Sequence, residues 1–202
     1  MPRFFYRSLP PLATLCAALL LSACASAPVT LSQATVGAYR DTINLNGRLA
    51  VNYQKNGQPE TLSGHFTWAQ TADAVDVTLG SSFGTLARIR VTPESATLTQ
   101  SDQAPRVARD IDSLTAQTLG WSLPVSGLRD WLQGYATGAD GARFAASPAN
   151  NTVTTRDGWK LTFVSWQDAD AATPAPKRID AARPATATSD ELSIRIVVEA
   201  KG

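Results

Sequence analysis

The sequence predicts a mainly β protein, built as a single curled antiparallel sheet with two helices inserted between its two halves. Apolar and polar residues alternate along several segments, which is typical of strands with one buried and one solvated face. Short turns separate the first five of these segments. Between about 110 and 134 the apolar spacing becomes helical, and strand-like segments then resume. A sheet of this length is expected to curl toward a barrel.

The first half of the predicted sheet is a meander of five strands. Residues 44–53 carry Leu45, Leu49 and Val51 on one face and polar residues on the other. An Asn-Gly turn leads into residues 61–68, where Leu62, Phe66 and Trp68 share a face. Three further strands are predicted, at 74–79, 86–92 and 95–99.

Two helices follow the meander. Asp110 is placed to cap a helix that runs from Ile111 to Leu119 and stops before Gly120. The second helix is predicted to begin near Pro124 and to end at Gly134. Strands then resume at 152–156, 159–166 and 191–198, and the Ala/Pro/Thr-rich stretch 168–190 is predicted to be a loop with a short strand possible at 177–181.

Composition narrows the range of functions. The chain has 202 residues, which predicts one domain with ample core. One histidine and two cysteines exclude a multi-histidine metal site and a zinc site held by four thiolates. A formal net charge of +1 gives no broad basic surface for nucleic acid. We therefore expect no metal, no cofactor and no nucleic-acid partner.

The amino terminus has the pattern of a bacterial lipoprotein signal. Arg3 and Arg7 precede an apolar run at 9–21, which is too short to span a bilayer as a helix. The following residues, Leu-Ser-Ala-Cys, predict that a signal peptide (1–23) is removed and that Cys24 carries the lipid. Residues 24–40 are then expected to be a lipidated tether, and residues 41–202 the folded domain. The alternative is an ordinary signal peptide whose cleavage site contains a cysteine.

No catalytic set assembles in the sequence. Residues 80–84 (GSSFG) match the nucleophile elbow of serine hydrolases, but a strand rather than a helix is predicted to follow Ser82. The one histidine, His65, lies upstream on a polar strand face. Asp110 and Asp112 are interpreted as acids that complement a helix dipole. Arg88 and Arg90 share a strand face that is either a solvated surface or an anion site, and we expect no enzyme activity.

Large apolar side chains occur at two places that need an explanation. Phe83 lies in a tight loop, where it either folds back on the end of the sheet or is an exposed tip that touches membrane. Leu128, Trp131 and Leu132 form a helix face that is either ordinary core or a lid over an apolar cavity.

Several motifs together resemble the LolB family of outer-membrane lipoprotein receptors. After the Leu-Ser-Ala-Cys signal come residues 45–51 (LNGRLAV) and 63–68 (SGHFTW). Residues 119–134 (LGWSLPVSGLRDWLQG), which carry the most specific pattern, and residues 157–160 (DGWK) follow in the expected order.

The resemblance implies an incompletely closed antiparallel β-barrel of about 10–11 strands with a short α-helical lid over an apolar interior. It implies a monomer, anchored by lipid in the outer membrane and facing the periplasm, where Ala25 and Ser26 after the cysteine also fit an outer-membrane destination. Such a protein accepts triacylated lipoproteins from the periplasmic chaperone LolA and releases them into the inner leaflet. Ser82, Phe83 and Gly84 would form the membrane-inserting loop. The candidate cavity and lid residues are Leu49, Val51, Phe66, Trp68, Val77, Leu79, Ile89, Leu128, Trp131 and Leu132.

Three other functions stay open from the sequence. The chain could be a lipid-anchored module that binds another apolar ligand, such as free lipid or glycolipid. It could be a hydrolase that uses Ser82, or a purely structural envelope lipoprotein.

Overall fold

In the computed structural model of the chain, the described residues are 30–55, 57–101, 103–119, 125–186 and 190–200. Several sequence predictions lie outside these residues: the signal peptide 1–23, Cys24 as the lipid site, Asn56 in the first turn, and Gly120 and Pro124 between the helices.

The described residues form twelve strands and two helices. The first five strands and a short sixth are β1 Ile43–Lys55, β2 Gln58–Gln70, β3 Val75–Ser81, β4 Gly84–Val91, β5 Ala96–Gln100 and β6 Arg106–Ala108. The helices are α1 Ile111–Leu119 and α2 Val125–Trp131. The remaining strands are β7 Tyr135–Thr137, β8 Arg143–Ala145, β9 Thr152–Thr154, β10 Lys160–Trp166, β11 Pro176–Arg183 and β12 Leu192–Val198.

Ten of these strands form one antiparallel sheet, in the order β6-β5-β4-β3-β2-β1-β12-β11-β10-β9. Strands β6 and β9 are its two edges, so the sheet curls without closing. Strands β7 and β8 form a separate hairpin. The predicted fold class, an incompletely closed antiparallel barrel with a short helical lid, is confirmed, and the large sheet has ten strands.

The buried face of the sheet carries the apolar positions of the alternating strands. Val51, Phe66 and Trp68 are all buried on the first half of the sheet. Gly47 permits this packing, because a Cβ at that position would lie 2.9 Å from Cε1 of Phe66. The other half of the sheet is more densely packed, with Leu161, Phe163 and Ile179 fully buried.

The start of α1 and the stop after α2 lie at the residues that the sequence predicts. The Ser113 amide donates to Oδ1 of Asp110 at 2.7 Å, so Asp110 is the predicted cap of α1. This hydrogen bond is the main cause that lowers the pKa of the Asp110 carboxyl. After α2, the Gly134 amide donates to the Trp131 carbonyl at 2.9 Å, and Gly134 has a φ of +84°.

The chain before β1 is attached to the domain from residue 32 onward. The Ala149 amide donates to the Ser32 carbonyl and the Val36 amide donates to the Ala146 carbonyl, each at 3.0 Å. Tyr135 donates its hydroxyl to the Gly37 carbonyl at 2.7 Å. Although the composition of residues 24–40 suggested a tether, residues 32–40 pack against the domain because Val36 supplies a buried apolar anchor.

The structure differs from the sequence predictions in the second half. Pro176–Arg183 is an eight-residue strand between β10 and β12, where only a short strand within a loop was expected. Its Ala- and Pro-rich surroundings hid the alternation, but Ile179 and Ala181 are buried and pair with Ile196 and Ile194. The three-residue strands β6, β7 and β8 were not predicted, because such short segments show no detectable period.

The dense half of the sheet yields a stability prediction. Phe163→Ala is expected to lower the free energy of unfolding by about 3–5 kcal/mol, because it opens a cavity at a side chain that is 0% exposed. Val164→Ala, one residue along the same strand and exposed, should change it by about 0.5 kcal/mol or less. Urea denaturation measures both, and similar losses for the two variants would contradict this packing.

Candidate functional site

An apolar cavity of about 190 Å³ lies between the first half of the sheet and the two helices. Strands β1 to β5 and β12 supply its wall, and α1 and α2 supply its lid. Because side chains alternate across a strand, the inner positions of these strands all project toward the cavity. The walls are built almost wholly from aliphatic and aromatic carbon.

Nine of the ten candidate residues named from the sequence line this cavity. They are Leu49, Val51, Phe66, Trp68, Val77, Leu79, Ile89, Leu128 and Leu132. The tenth, Trp131, does not line it. Its ring packs against that of Trp159, with centroids 5.8 Å apart, and it is 4% exposed.

Helix geometry explains the different position of Trp131. Successive residues are about 100° apart around a helix axis, so Leu128 and Leu132 lie nearly above one another while Trp131 points away from Leu132. The sequence spacing grouped all three on one face, but that face is divided between the cavity and the core beside β10.

Sequence reasoning missed part of the wall. Some of these residues continue an alternation that was visible, since Leu98 lies on a predicted strand and Ile194 and Ile196 lie on another. Leu62 likewise shares a predicted strand face with Phe66 and Trp68. Leu86 had no such signal, because it alternates with Ala87 on its strand. The missed apolar lining residues are Leu62, Leu86, Ala87, Leu98, Leu114, Ile194 and Ile196.

Two polar side chains in the wall, both on α1, have partners within the protein. The Thr118 hydroxyl donates to the Leu114 carbonyl of its own helix at 2.8 Å, and Thr115 donates likewise to the Asp112 carbonyl at 3.1 Å. The Trp68 indole N–H donates to Gln70, which is 1% exposed and donates in turn to the Tyr39 hydroxyl. These contacts satisfy the donors of the two threonines and of Trp68. Ser63, His65 and Gln100 also line the cavity.

Hydrogen bonds hold the second helix of the lid at one end of the sheet. Arg129 donates to the carbonyls of Thr71 and Ala72, at 2.8 and 3.1 Å, in the turn between β2 and β3. Gln133 donates to the Arg40 carbonyl and accepts from the Arg40 amide. The lid is therefore fixed to the β2–β3 turn and to the segment before β1.

A carboxylate joins the two lid helices. The Ser126 hydroxyl of α2 donates to Oδ2 of Asp112 in α1 at 3.2 Å. Partial burial raises the pKa of the Asp112 carboxyl, and the nearby charges of Asp110 and Asp157 act in the same direction. Its Oδ1 is buried without a hydrogen-bond partner. Ionised Asp112 thus weakens the lid, since a buried charge without full hydrogen bonding is costly.

Phe83 lies at the tip of the β3–β4 hairpin with its side chain 100% exposed. The hairpin loop is only two residues long, Ser82 and Phe83, because Ser81 pairs with Gly84. Gly84 has a φ of +130°, a conformation that side chains rarely adopt. The loop therefore presents Phe83 to solvent, with exposed Ser82 and Gly84 beside it.

The other candidates do not form a catalytic set. Ser82 lies between two strands rather than at a strand-to-helix turn, and His65 is on an exposed face of β2. Arg90 donates to both carboxylate oxygens of Asp76, at 3.0 and 2.9 Å, as a surface ion pair.

Among the described residues no group of three His, Cys, Asp or Glu side chains could hold a metal ion. No helix in that part of the chain is long and apolar enough to cross a membrane.

Comparison with known proteins gives consistent matches. Residues 41–200 match the family model described as Outer membrane lipoprotein LolB. Proteins named Outer-membrane lipoprotein LolB from Cupriavidus taiwanensis and Cupriavidus necator are 39% and 40% identical, over 90% and 91% of this chain and 91% of each relative. One of the same name from Ralstonia nicotianae is 33% identical over 98% of this chain and all of its own length.

The cavity predicts opposite effects for two buried alanines. Ala87→Leu should leave the free energy of unfolding within about 1 kcal/mol and weaken the binding of an apolar fluorescent dye, because the new carbons occupy cavity space. Ala96→Leu should cost about 1–3 kcal/mol and leave dye binding unchanged, because Ala96 is 0% exposed and lies outside the lining. Denaturation and dye titration of both variants check this, and weaker binding in both would contradict it.

The two lid carboxylates predict opposite pH dependences. A raised folded-state pKa favours the protonated form, so the stability that Asp112 contributes is lost as the pH rises through that value. Asp112→Asn should therefore stabilise the protein at pH 7, by an amount that vanishes below the ordinary pKa of 3.8.

Asp110→Asn is the control, because the pKa of Asp110 is lowered. The ionised Asp110 carboxylate stabilises the protein above its ordinary pKa, and this stabilisation is lost as the pH falls. Asp110→Asn should therefore lower the free energy of unfolding at pH 7. The free energy of unfolding of both variants is measured by denaturation at pH 3.5 and at pH 7. If Asp112→Asn destabilises the protein equally at both pH values, the assignment is wrong.

Proposed function

The chain belongs to the LolB family of outer-membrane lipoproteins, and from this premise we propose that it receives triacylated lipoproteins from a LolA-like chaperone and inserts them into the inner leaflet of the outer membrane. It acts as a monomeric, non-catalytic carrier without a cofactor. Cys24 carries its own lipid anchor and holds it on the periplasmic face of that membrane.

The apolar cavity beneath the lid is the observation that carries this proposal. Exposing an acyl chain to water costs about 0.8 kcal/mol per methylene, so a protein that moves lipidated clients through the periplasm must cover their chains. A wall built mostly of apolar side chains offers such cover, and the Trp68 and Thr118 donors in it already bond within the protein. The cavity binds acyl chains by burying them away from water. Such binding is reversible and needs no nucleotide.

The size of the cavity indicates that the lid moves when a client binds. A cavity of about 150 Å³ accommodates a ligand as small as benzene, and the cavity here has about 190 Å³. Several acyl chains need much more space. The client therefore displaces α1 and α2, which expose Leu114, Leu128 and Leu132 to the chains when they separate from the sheet.

Phe83 serves the delivery step. An exposed aromatic ring on a two-residue hairpin loop has no core to stabilise, but it enters a membrane interface readily. Insertion of the ring brings the carrier against the leaflet. Transfer then proceeds down the free-energy gradient from chaperone to carrier to bilayer.

Phe83→Glu tests the proposal. The charge resists entry into the membrane interface, so the variant should accept a lipoprotein from its chaperone as the parent does but should deliver it to vesicles at least about tenfold more slowly. Phe83→Leu is the matched control and should retain both steps, because it keeps an apolar tip. Uptake is measured by co-purification in solution, and delivery by flotation of the client with vesicles.

Equal loss of uptake and delivery in Phe83→Glu would show that Phe83 has a structural role instead. A parent protein that never acquires a lipoprotein would overturn the proposed function. Native mass spectrometry of that parent protein would then show whether it carries free lipid or glycolipid.

A further inference from the structure

Two leucines at one end of the cavity are partly exposed although they line it. Leu62 of β2 is 37% exposed and Leu86 of β4 is 47% exposed. Deeper lining residues such as Phe66 and Ile89 are buried. Leu62 and Leu86 therefore form a rim where the apolar interior meets solvent, which we call the cavity mouth.

A β-bulge turns Leu86 toward the cavity. Leu79 pairs with Ala87, but the next residue of β3, Gly80, pairs with Thr85, so Leu86 has no partner on β3. In a regular strand Leu86 and Ala87 would point to opposite faces, yet both line the cavity. Bulges re-aim side chains in this way and often lie beside functional sites.

The mouth lies at the same end of the sheet as Phe83. Leu86 is three residues after Phe83 on the same hairpin, and Leu62 is three residues before His65, which pairs with Gly80 near the hairpin loop. Gly64 and Gly80 line this end of the cavity, and Ser63 and His65 line it beside them. At the opposite end Arg129 bridges α2 to the β2–β3 turn.

Exposure alone does not identify the mouth, but continuity with the cavity does. Among the described residues three other large apolar side chains outside the hairpin loop are exposed: Leu31, Val107 and Val164. None of these three lines the cavity. Leu62 and Leu86 both line the cavity and are exposed, and Leu86 lies on the same hairpin as Phe83.

We propose that the acyl chains of the client pass between cavity and bilayer through the mouth formed by Leu62 and Leu86, while Phe83 is inserted in the membrane. This proposal rests on the proposed function and adds the route of transfer to it. A chain that leaves beside Phe83 moves from apolar protein to apolar membrane without crossing water, and so avoids the cost of exposing its methylenes.

Transfer kinetics of the full-length lipidated protein test this route. Leu86→Gln should deliver client to phospholipid vesicles about tenfold more slowly than the parent protein, a larger effect than on uptake from the chaperone, because a polar side chain interrupts the apolar passage. Leu86→Met should restore delivery. Val164→Gln, a polar change at a similarly exposed aliphatic residue away from the cavity, should change neither rate.

A fluorescence experiment locates the mouth independently. Single cysteines in place of Phe83, Leu86 and Val164 would each be labelled with bimane in the lipidated protein, in vesicles whose acyl chains carry bromine. We expect quenching at positions 83 and 86 and none at 164. Circular dichroism and thermal unfolding verify that each variant is folded.

The outcomes separate the two proposals. If Leu86→Gln delivers at the parent rate, or loses uptake and delivery equally, the route through the mouth is wrong while the carrier function stands. Quenching at 83 but not at 86 also contradicts the route. If the parent delivers no client, the proposed function itself fails.

Discussion

The structure depends on keeping an apolar interior open. Protein cores normally close-pack, and a void of about 190 Å³ costs about 4–5 kcal/mol at the rate observed for cavities left by truncated side chains. The cavity lies along the first half of the sheet, whereas the second half buries Trp159, Leu161 and Phe163 almost completely. One half of the molecule thus supplies stability and the other half supplies binding surface.

The boundary between these halves determines how the lid is built. Trp131 joins α2 to the dense half through Trp159, whereas Leu128 of α2 and Leu132, directly after the helix, line the cavity. Polar contacts attach the helix at its edges, through Arg129 and Gln133. The apolar contacts of the lid with the cavity wall are nondirectional, so on the proposed function acyl chains can replace them.

The sequence predicted the wall better than the rim, for physical reasons. Period-two alternation identifies the inner face of a regular strand, so Val51, Phe66 and Ile89 were found. A bulge breaks that period, so Leu86 could not be assigned to the inner face from its position. Trp131 was assigned to the lid face because helical spacing groups it with Leu128 and Leu132. The spacing does not show that Trp131 packs against a different part of the protein. Composition hid β11 and the attached segment 32–40, whose burial depends on contacts distant in sequence.

The placement of the lid contacts gives the opening a direction. Arg129 holds α2 to the carbonyls of Thr71 and Ala72, at the end of β2 and β3 opposite the Phe83 hairpin. Opening at that end would break charge-assisted hydrogen bonds, which are stronger than neutral ones. Opening at the other end would leave these hydrogen bonds intact and separate mainly apolar surfaces. On the proposed function, a client that enlarges the cavity widens it toward Leu62 and Leu86, so the bound client also opens the end through which it leaves.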